Sequence, residues 1–371
     1  MTSRLSFTTV IILTVLSLIS SCRHKSAEAI SGGDTITTQA RLLTLIDKDG
    51  YTIADVRKPW GDDTTALLER YILAPHDYQG QLPEGTVVRV PLRSSLVYSG
   101  VYAGAIDELG AAQAITGVAD GQYFNTPSVV EGLRTGRITD VGNSMSPSVE
   151  RIVSVSPEAI ILSPYQGMQA GAIEKLGIPI IQFVDYMEST PLGRAEWIRL
   201  LGILYGNRAG ADSTFEAVTE SYDSLCKSIA RYSDRPIVIT EQPLTGGSWD
   251  VPAGESYMAR MLADAGAFYP WHDTKGAGSL KLDAPAVLNR AADADFWLIR
   301  SLGPMTLQSL GAGNPLTSQF KAFRNGNVYV CDTSVVPLFD EFPFHPERLL
   351  ADFIAIFHPA AGSTLRYYRK L

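Results

Sequence analysis

The side chains that usually carry chemistry are few in this chain and widely spaced. Its 371 residues include five histidines, His24, His76, His272, His345 and His358, and no two of them have a paired spacing. A bare transition-metal site needs several converging ligands, so this scatter argues against one. Only His272, within Tyr269-Pro270-Trp271-His272-Asp273, falls where a cleft loop is expected. Neither G-x-x-x-x-G-K-[ST] nor G-x-S-x-G occurs. Gly276-Ala277-Gly278 and Gly311-Ala312-Gly313 each lack the third glycine of a dinucleotide fingerprint. With no nucleophile–base arrangement and no cofactor motif, the expectation is binding without catalysis and without a resident cofactor.

Cys22 has a chemistry of its own. Arg4 precedes an apolar run over residues 10–19, too short to span a bilayer and of the right length for a signal-peptide core. The run ends at Ile19-Ser20-Ser21-Cys22, which is similar to a bacterial lipobox, with Ile where Leu is commoner and Ser where Gly or Ala is. The expectation is a signal peptide over 1–21, lipidation of Cys22 and a polar tether over 22–40. The mature protein would then be held at a membrane by its lipid, in the periplasm. Cys226 lies in a helical pattern and Cys331 at the end of a buried strand, so two separate core thiols are expected. A net charge of −8, with no basic block beyond Arg23-His24-Lys25, excludes nucleic acid as a partner. A monomer is expected.

The elements that must position any site form a repeat. Residues 146–184 run from a helix start at Ser146-Pro147, through a turn at Ser156-Pro157-Glu158, to an apolar strand, Ala159-Ile160-Ile161-Leu162. A loop with Tyr165, a short helix ending at Leu176-Gly177 and a strand from Ile180 complete the unit. Residues 283–331 keep that order: Asp283 and Pro285 open a helix, Phe296-Trp297-Leu298-Ile299 form the buried strand, and Val328-Tyr329-Val330-Cys331 the last one. A duplicated unit implies two lobes with a working cleft between them.

Between the repeats, residues 193–232 contain no proline. Trp197, Leu200, Leu201, Leu204 and Tyr205 form one helical stripe, Gly206-Asn207 a break, and Ala211, Phe215, Val218, Tyr222, Leu225 and Ile229 a second stripe. That second helix, about 20 residues and about 30 Å long, is expected to run across both lobes and to keep cleft closure small. Upstream, residues 43–46 and 51–56 flank Asp49-Gly50, a strong hairpin signal, with a third strand at Tyr71-Ile72-Leu73. The expected organisation is a β-rich extension over 41–85, a first lobe over 86–206 opened by Thr86-Val87-Val88-Arg89-Val90, a linking helix over 207–233 and a second lobe over 234–371. The expected fold is α/β, two lobes each with a mostly parallel central sheet flanked by helices, joined by one long rigid helix.

Over about residues 86–371 this pattern resembles the substrate-binding proteins of ABC importers for iron-siderophores, haem and cobalamin. The resemblance rests on Glu150-Arg151-Ile152, Ser156-Pro157-Glu158-Ala159-Ile160-Ile161, Leu176-Gly177-Ile178-Pro179, the long linking helix, the stretch Ala253-Gly254-Glu255-Ser256-Tyr257-Met258 through Gly266, and a final helix ending at His358-Pro359. It implies capture of a metal chelate between rigid lobes and delivery to a permease dimer. Ligands of open α/β sheets sit beyond the carboxyl ends of strands. The loops expected there hold Tyr98, Tyr123, Tyr165, Gln166, Trp249, Arg300 and Phe339. Aromatic rings suit a large flat or greasy cargo, and Arg300 would pair an anionic group. The resemblance further implies that Glu150 and Glu255, one per lobe, dock on permease arginines, although acids near helix starts also favour the helix dipole unaided. An exported two-lobed hydrolase or chelatase, or a binding protein for another small solute, is the alternative reading.

Overall fold

The computed structural model describes residues 33–359 and 364–371, apart from 62, 64, 169–170 and 245–246. Cys22, the expected signal segment and the start of the expected tether lie outside the described residues.

The chain first builds a sheet of five strands in chain order, β1 (Asp34–Thr35), β2 (Leu43–Lys48), β3 (Tyr51–Arg57), β4 (Leu67–Pro75) and β5 (Thr86–Val90). Asp49-Gly50 closes the β2–β3 hairpin, Lys48 facing Tyr51 and Gly50 adopting φ 85°, the left-handed region such a turn requires. Two boundaries differ from expectation. Thr86–Val90 does not open the first lobe but pairs in parallel with β4. Its side chains alternate between solvent and core, Val88 and Val90 inward, which suits a sheet covered on one face rather than the doubly covered sheet of an α/β lobe. Residues 34–40 are not free tether either. β1 pairs with β2, and the backbone N–H groups of Thr38, Gln39 and Ala40 donate to the buried Glu196 at 2.7–2.8 Å. Those of Arg41 and Leu42 donate to buried Glu188. Two carboxylates thus accept five successive backbone donors that would otherwise be left unpaired.

The first lobe follows with β6 (Ser95–Val97), α1 (Gly100–Glu108), β7 (Ile115–Val118), α2 (Pro127–Thr135), β8 (Thr139–Asp140), α3 (Val149–Val155), β9 (Ala159–Leu162) and β10 (Ile180–Gln182). Its sheet runs β10-β9-β6-β7-β8, every pair parallel. All four residues of β9 are buried, as a strand with helices on both faces demands. The extension sheet covers one edge: Tyr71 donates its hydroxyl to Ile180 O and accepts from Gln182 N, each at 2.9 Å, which occupies backbone groups of edge strand β10.

The lobes are joined by α4 (Pro191–Ala195), α5 (Ile198–Leu204) and α6 (Arg208–Ile229). At the α5–α6 elbow, a Cβ on Gly202 would stand 2.4 Å from the Ala211 methyl, so only glycine fits. The 22 residues of α6, about 33 Å, serve two cores. Ala211, Phe215 and Val218 pack into the first, which also contains the extension. Tyr222, Leu225, Cys226 and Ile229 pack into the second. The expected bridging helix is present.

The second lobe contains β11 (Val238–Thr240), β12 (Ser248–Pro252), α7 (Tyr257–Asp264), β13 (Ser279–Asp283), α8 (Ala284–Ala291), β14 (Phe296–Ser301), α9 (Leu307–Gly313), α10 (Lys321–Arg324), β15 (Val328–Asp332), α11 (Leu338–Glu341), α12 (Pro346–Phe357) and β16 (Arg369–Lys370). Its main sheet runs β11-β14-β15-β16, parallel except for β16, and β12 and β13 form a separate antiparallel pair. Cys226 and Cys331 are both free thiols.

Direct contacts tie the lobes near α4 and α1. Arg194, bonded to buried Asp185 at 2.9 Å, places its guanidinium 4.7 Å from the Tyr257 ring centroid and 5.0 Å from that of Phe342. His345 bonds Glu108 of α1 at 2.7 Å and Glu347 at 3.1 Å.

Candidate functional site between the lobes

Where β6 ends, Tyr98 leads to Ser99, whose hydroxyl accepts from Val101 N and caps α1. Where β7 ends, Asp120 takes a left-handed conformation (φ 54°) and directs the chain into a short turn carrying Tyr123. From the second lobe come Leu302 after β14, Thr333, Val336 and Pro337 after β15, and Phe339 and Asp340 on α11. These segments enclose a cleft of about 350 Å³. Its walls are loops at the carboxyl ends of parallel strands in both lobes, the place an open α/β sheet offers a ligand. A larger recess, about 490 Å³, lies between the extension and the edge of the first lobe. It touches only one lobe and collects none of the expected aromatic residues.

Three of the sequence-derived candidates meet in the interlobe cleft: Tyr98, Tyr123 and Phe339. Tyr123 is 67% exposed and Phe339 42%, so both faces are open to cargo. Tyr98 is half-buried, its hydroxyl pushed up to about 12 by burial and by the nearby Asp120 carboxylate. Tyr165 and Gln166 follow β9 at the same end of the sheet but do not line the cleft. Tyr165 is exposed, its hydroxyl 3.8 Å from the Met145 sulfur.

The structure corrects two candidates. Trp249 is not a loop residue. It lies on β12, 1% exposed, its Nε1–H donating to Thr240 O at 2.9 Å and its ring packed on Trp297 and Phe320, so it belongs to the second core and has no face for a ligand. Arg300 carries no unmatched charge. Its guanidinium is bonded to Glu241, with Nε at 2.8 Å, and lies 5.8 Å from the Phe339 ring centroid. Sequence reasoning missed Asp120, Asn125, Leu302, Val336 and Asp340. Leu302, 81% exposed, was legible by the strand-end rule had β14 been read through Ser301 rather than Ile299.

The expected docking acids are both on the surface. Glu150 sits in the first turn of α3, capped by Ser148 rather than Ser146. Glu255 immediately precedes the α7 cap Ser256 and bonds Lys275 at 3.1 Å and Gly276 N at 2.8 Å. His272 is exposed, with Nδ1 2.8 Å from Tyr269 O. Among the described residues no three His, Cys, Asp or Glu side chains converge as a metal-ligand set.

A sequence model described as "Periplasmic binding protein" matches residues 96–335, from the second residue of β6 to the loop after β15. The chain belongs to the periplasmic binding protein family. The family match begins after β5 and does not include the extension sheet. An uncharacterized lipoprotein of Methanocaldococcus jannaschii is 28% identical over 303 residues, 76% of this chain and 70% of that protein. Among solved structures, a periplasmic heme binding protein from Pseudomonas aeruginosa superposes with a TM-score of 0.59 at 17% identity, covering 75% of this chain and 98% of its own. An ABC-type Fe3+-hydroxamate transport system protein from Saccharomonospora viridis gives 0.57 at 16% identity, covering 72% and 94%. At these identities the superpositions speak for the fold.

Proposed function

We propose that this periplasmic binding protein captures a metal chelate, such as an iron-siderophore, haem or cobalamin, between its lobes and delivers it to an ABC importer without catalysing a reaction on it. The observation that carries this reading is the interlobe cleft. Loops from both lobes bring Tyr98, Tyr123, Phe339 and Leu302 together around a space of about 350 Å³, and an aromatic-lined pocket of that kind suits a bulky organic ligand. The names of the superposed haem and Fe3+-hydroxamate proteins point the same way.

In this reading Cys22 carries the lipid and the protein faces the periplasm as a monomer. No helix among the described residues is long and apolar enough to cross a membrane, and the name of the archaeal lipoprotein relative favours an anchor. Glu150 and Glu255 present one acid from each lobe to the permease dimer. Purified protein is to be heated with haem, ferric siderophores and cobalamin in turn. A bound chelate at about 100 times its Kd adds about 2.7 kcal/mol to folded stability and raises the melting temperature. No rise with any of them defeats the proposal. For docking, Glu150→Arg with Glu255→Arg is expected to keep chelate affinity and abolish stimulation of the permease ATPase; normal stimulation removes the assignment.

A further inference from the structure

The charges around the cleft are one-sided. Its lining contains Asp120 on the first lobe and Asp340 on the second, and no Lys, Arg or His. The guanidinium of Arg300, 5.8 Å from the Phe339 ring centroid, is already matched by Glu241. An anionic cargo would therefore meet two carboxylates and no cation among the described residues of the lining, and uncompensated like charges in a partly dry site are strongly disfavoured.

Two lining residues also carry a buried, unmatched polar atom. Tyr98 Oη and Asp340 Oδ2 are buried with no hydrogen-bond partner among the described residues. Buried polar atoms are nearly always paired, so each leaves its residue with hydrogen-bonding capacity that a side-chain rotation toward the cleft would offer to an incoming molecule. The placement of Asp340 is built into the fold. A Cβ on Gly104 would stand 2.6 Å from Asp340 O, and one on Gly100 2.7 Å from Asp340 Oδ1. These two glycines of α1 let the acid press against the first turn of that helix across the lobe boundary. The Asp340 carboxylate thus lies beside the first residue of the helix.

Resting on the chelate reading above, we propose that the cleft selects metal chelates of neutral or positive net charge, with Asp340 the specificity-determining residue that accepts a hydrogen bond from a cationic or N–H group of the cargo. Burial and the neighbouring Glu341 hold the Asp340 carboxyl above its ordinary range, and a cation brought beside the carboxyl relieves that penalty. Tyr98 Oη supplies a second polar contact from the facing lobe.

The test uses three ferric complexes of one linear trihydroxamate that differ only at one end: a free amine, its N-acetyl form and its N-succinyl form, of charge +1, 0 and −1. Affinities are measured by fluorescence quenching on the full chain in detergent. The amine complex is expected to bind tightest, with about tenfold lost at each step toward the anion. Asp340→Asn is expected to compress the whole span to within about threefold. The wild-type series decides the question even if that variant folds poorly. A flat series, tightest binding of the succinyl form, or an unchanged span in a folded Asp340→Asn protein overturns the charge rule. Binding of haem, a dicarboxylate, with no binding of any of the three also overturns it while sparing the chelate reading. Failure of every chelate, haem and cobalamin included, defeats the chelate reading and this inference with it.

Discussion

Both lobes repeat one strand–helix unit, yet they place their aromatic residues differently. The first lobe sends Tyr98, Tyr123 and Tyr165 to the ends of β6, β7 and β9, where Tyr123 and Tyr165 stand exposed. The second lobe turns Trp249, Trp297 and Phe320 inward, with ring centroids 5.1–5.7 Å apart. Trp249 Nε1 donates to Thr240 O and Trp297 Nε1 to Glu241 O, so two indoles seal the carboxyl end of β11. What the first lobe leaves open at its strand ends, the second closes as core. Among the described residues, the second lobe reaches the cleft through the loops after β14 and β15 and through α11.

Trp249→Ala offers the hardest test of that contrast. Emptying so large a buried site costs about 3–5 kcal/mol, so urea unfolding is expected to shift strongly while a folded fraction keeps its affinity for cargo. A variant of full stability and lost affinity would put Trp249 back in the cleft.

That residue also shows where sequence reading stops. Apolar runs such as Ala159–Leu162 and Phe296-Trp297-Leu298-Ile299, with proline and glycine at the turns, made the element order legible, and the stripe of α6 from Ala211 to Ile229 announced a helix serving two cores. Trp249 and Val251 alternate with polar Ser248 and Asp250, a short strand signal obscured by the glycines before it. Its partners Leu282 and Leu280 lie some 30 residues on, where no local pattern points to them. β5 failed for a related reason: its alternating burial marks a sheet with one open face, but its β-branched run was read as a lobe strand. The pairing of Arg300 with Glu241 joins residues 59 apart in sequence and left no signal. The cleft aromatics were found because the strand-end rule is topological and needs only the strand positions.

A second asymmetry lies at the chain ends. The first lobe holds residues 38–42 through Glu196 and Glu188, whereas the second holds the backbone N–H groups of Arg366, Tyr367 and Tyr368 through Asp352 alone. Glu196→Ala strands three backbone donors at a fully buried site and is expected to cost about 2–4 kcal/mol, measured by urea unfolding. A loss below about 1 kcal/mol would mean that water replaces the carboxylate and that the strap contributes little to the first lobe.

The bridge between the lobes gives a smaller, pH-dependent effect. Burial opposes the charge on His345, but hydrogen bonds to Glu108 and Glu347 prevail and raise its pKa to about 9. The folded value lies above the unfolded one near 6.5, so the imidazolium stabilises fully below about pH 6.5 and that contribution is lost as pH rises through about 9. The unfolding midpoint is expected to fall across this window by an amount on the order of 1–3 kcal/mol, and His345→Gln to flatten the fall. An equally steep fall in the variant would assign the effect to other groups.

The proposal that the two lobes share one cargo is tested most directly by a double substitution of the cleft, Tyr123→Ala with Phe339→Ala, one residue from each wall. Titration of the chelate identified by thermal shift is expected to show affinity reduced by about 1–3 kcal/mol, the range for loss of well-packed aromatic contacts. The melting temperature of the free protein is expected to stay close to wild type, since neither side chain belongs to a buried core. Unchanged affinity in the double variant would contradict binding between the lobes.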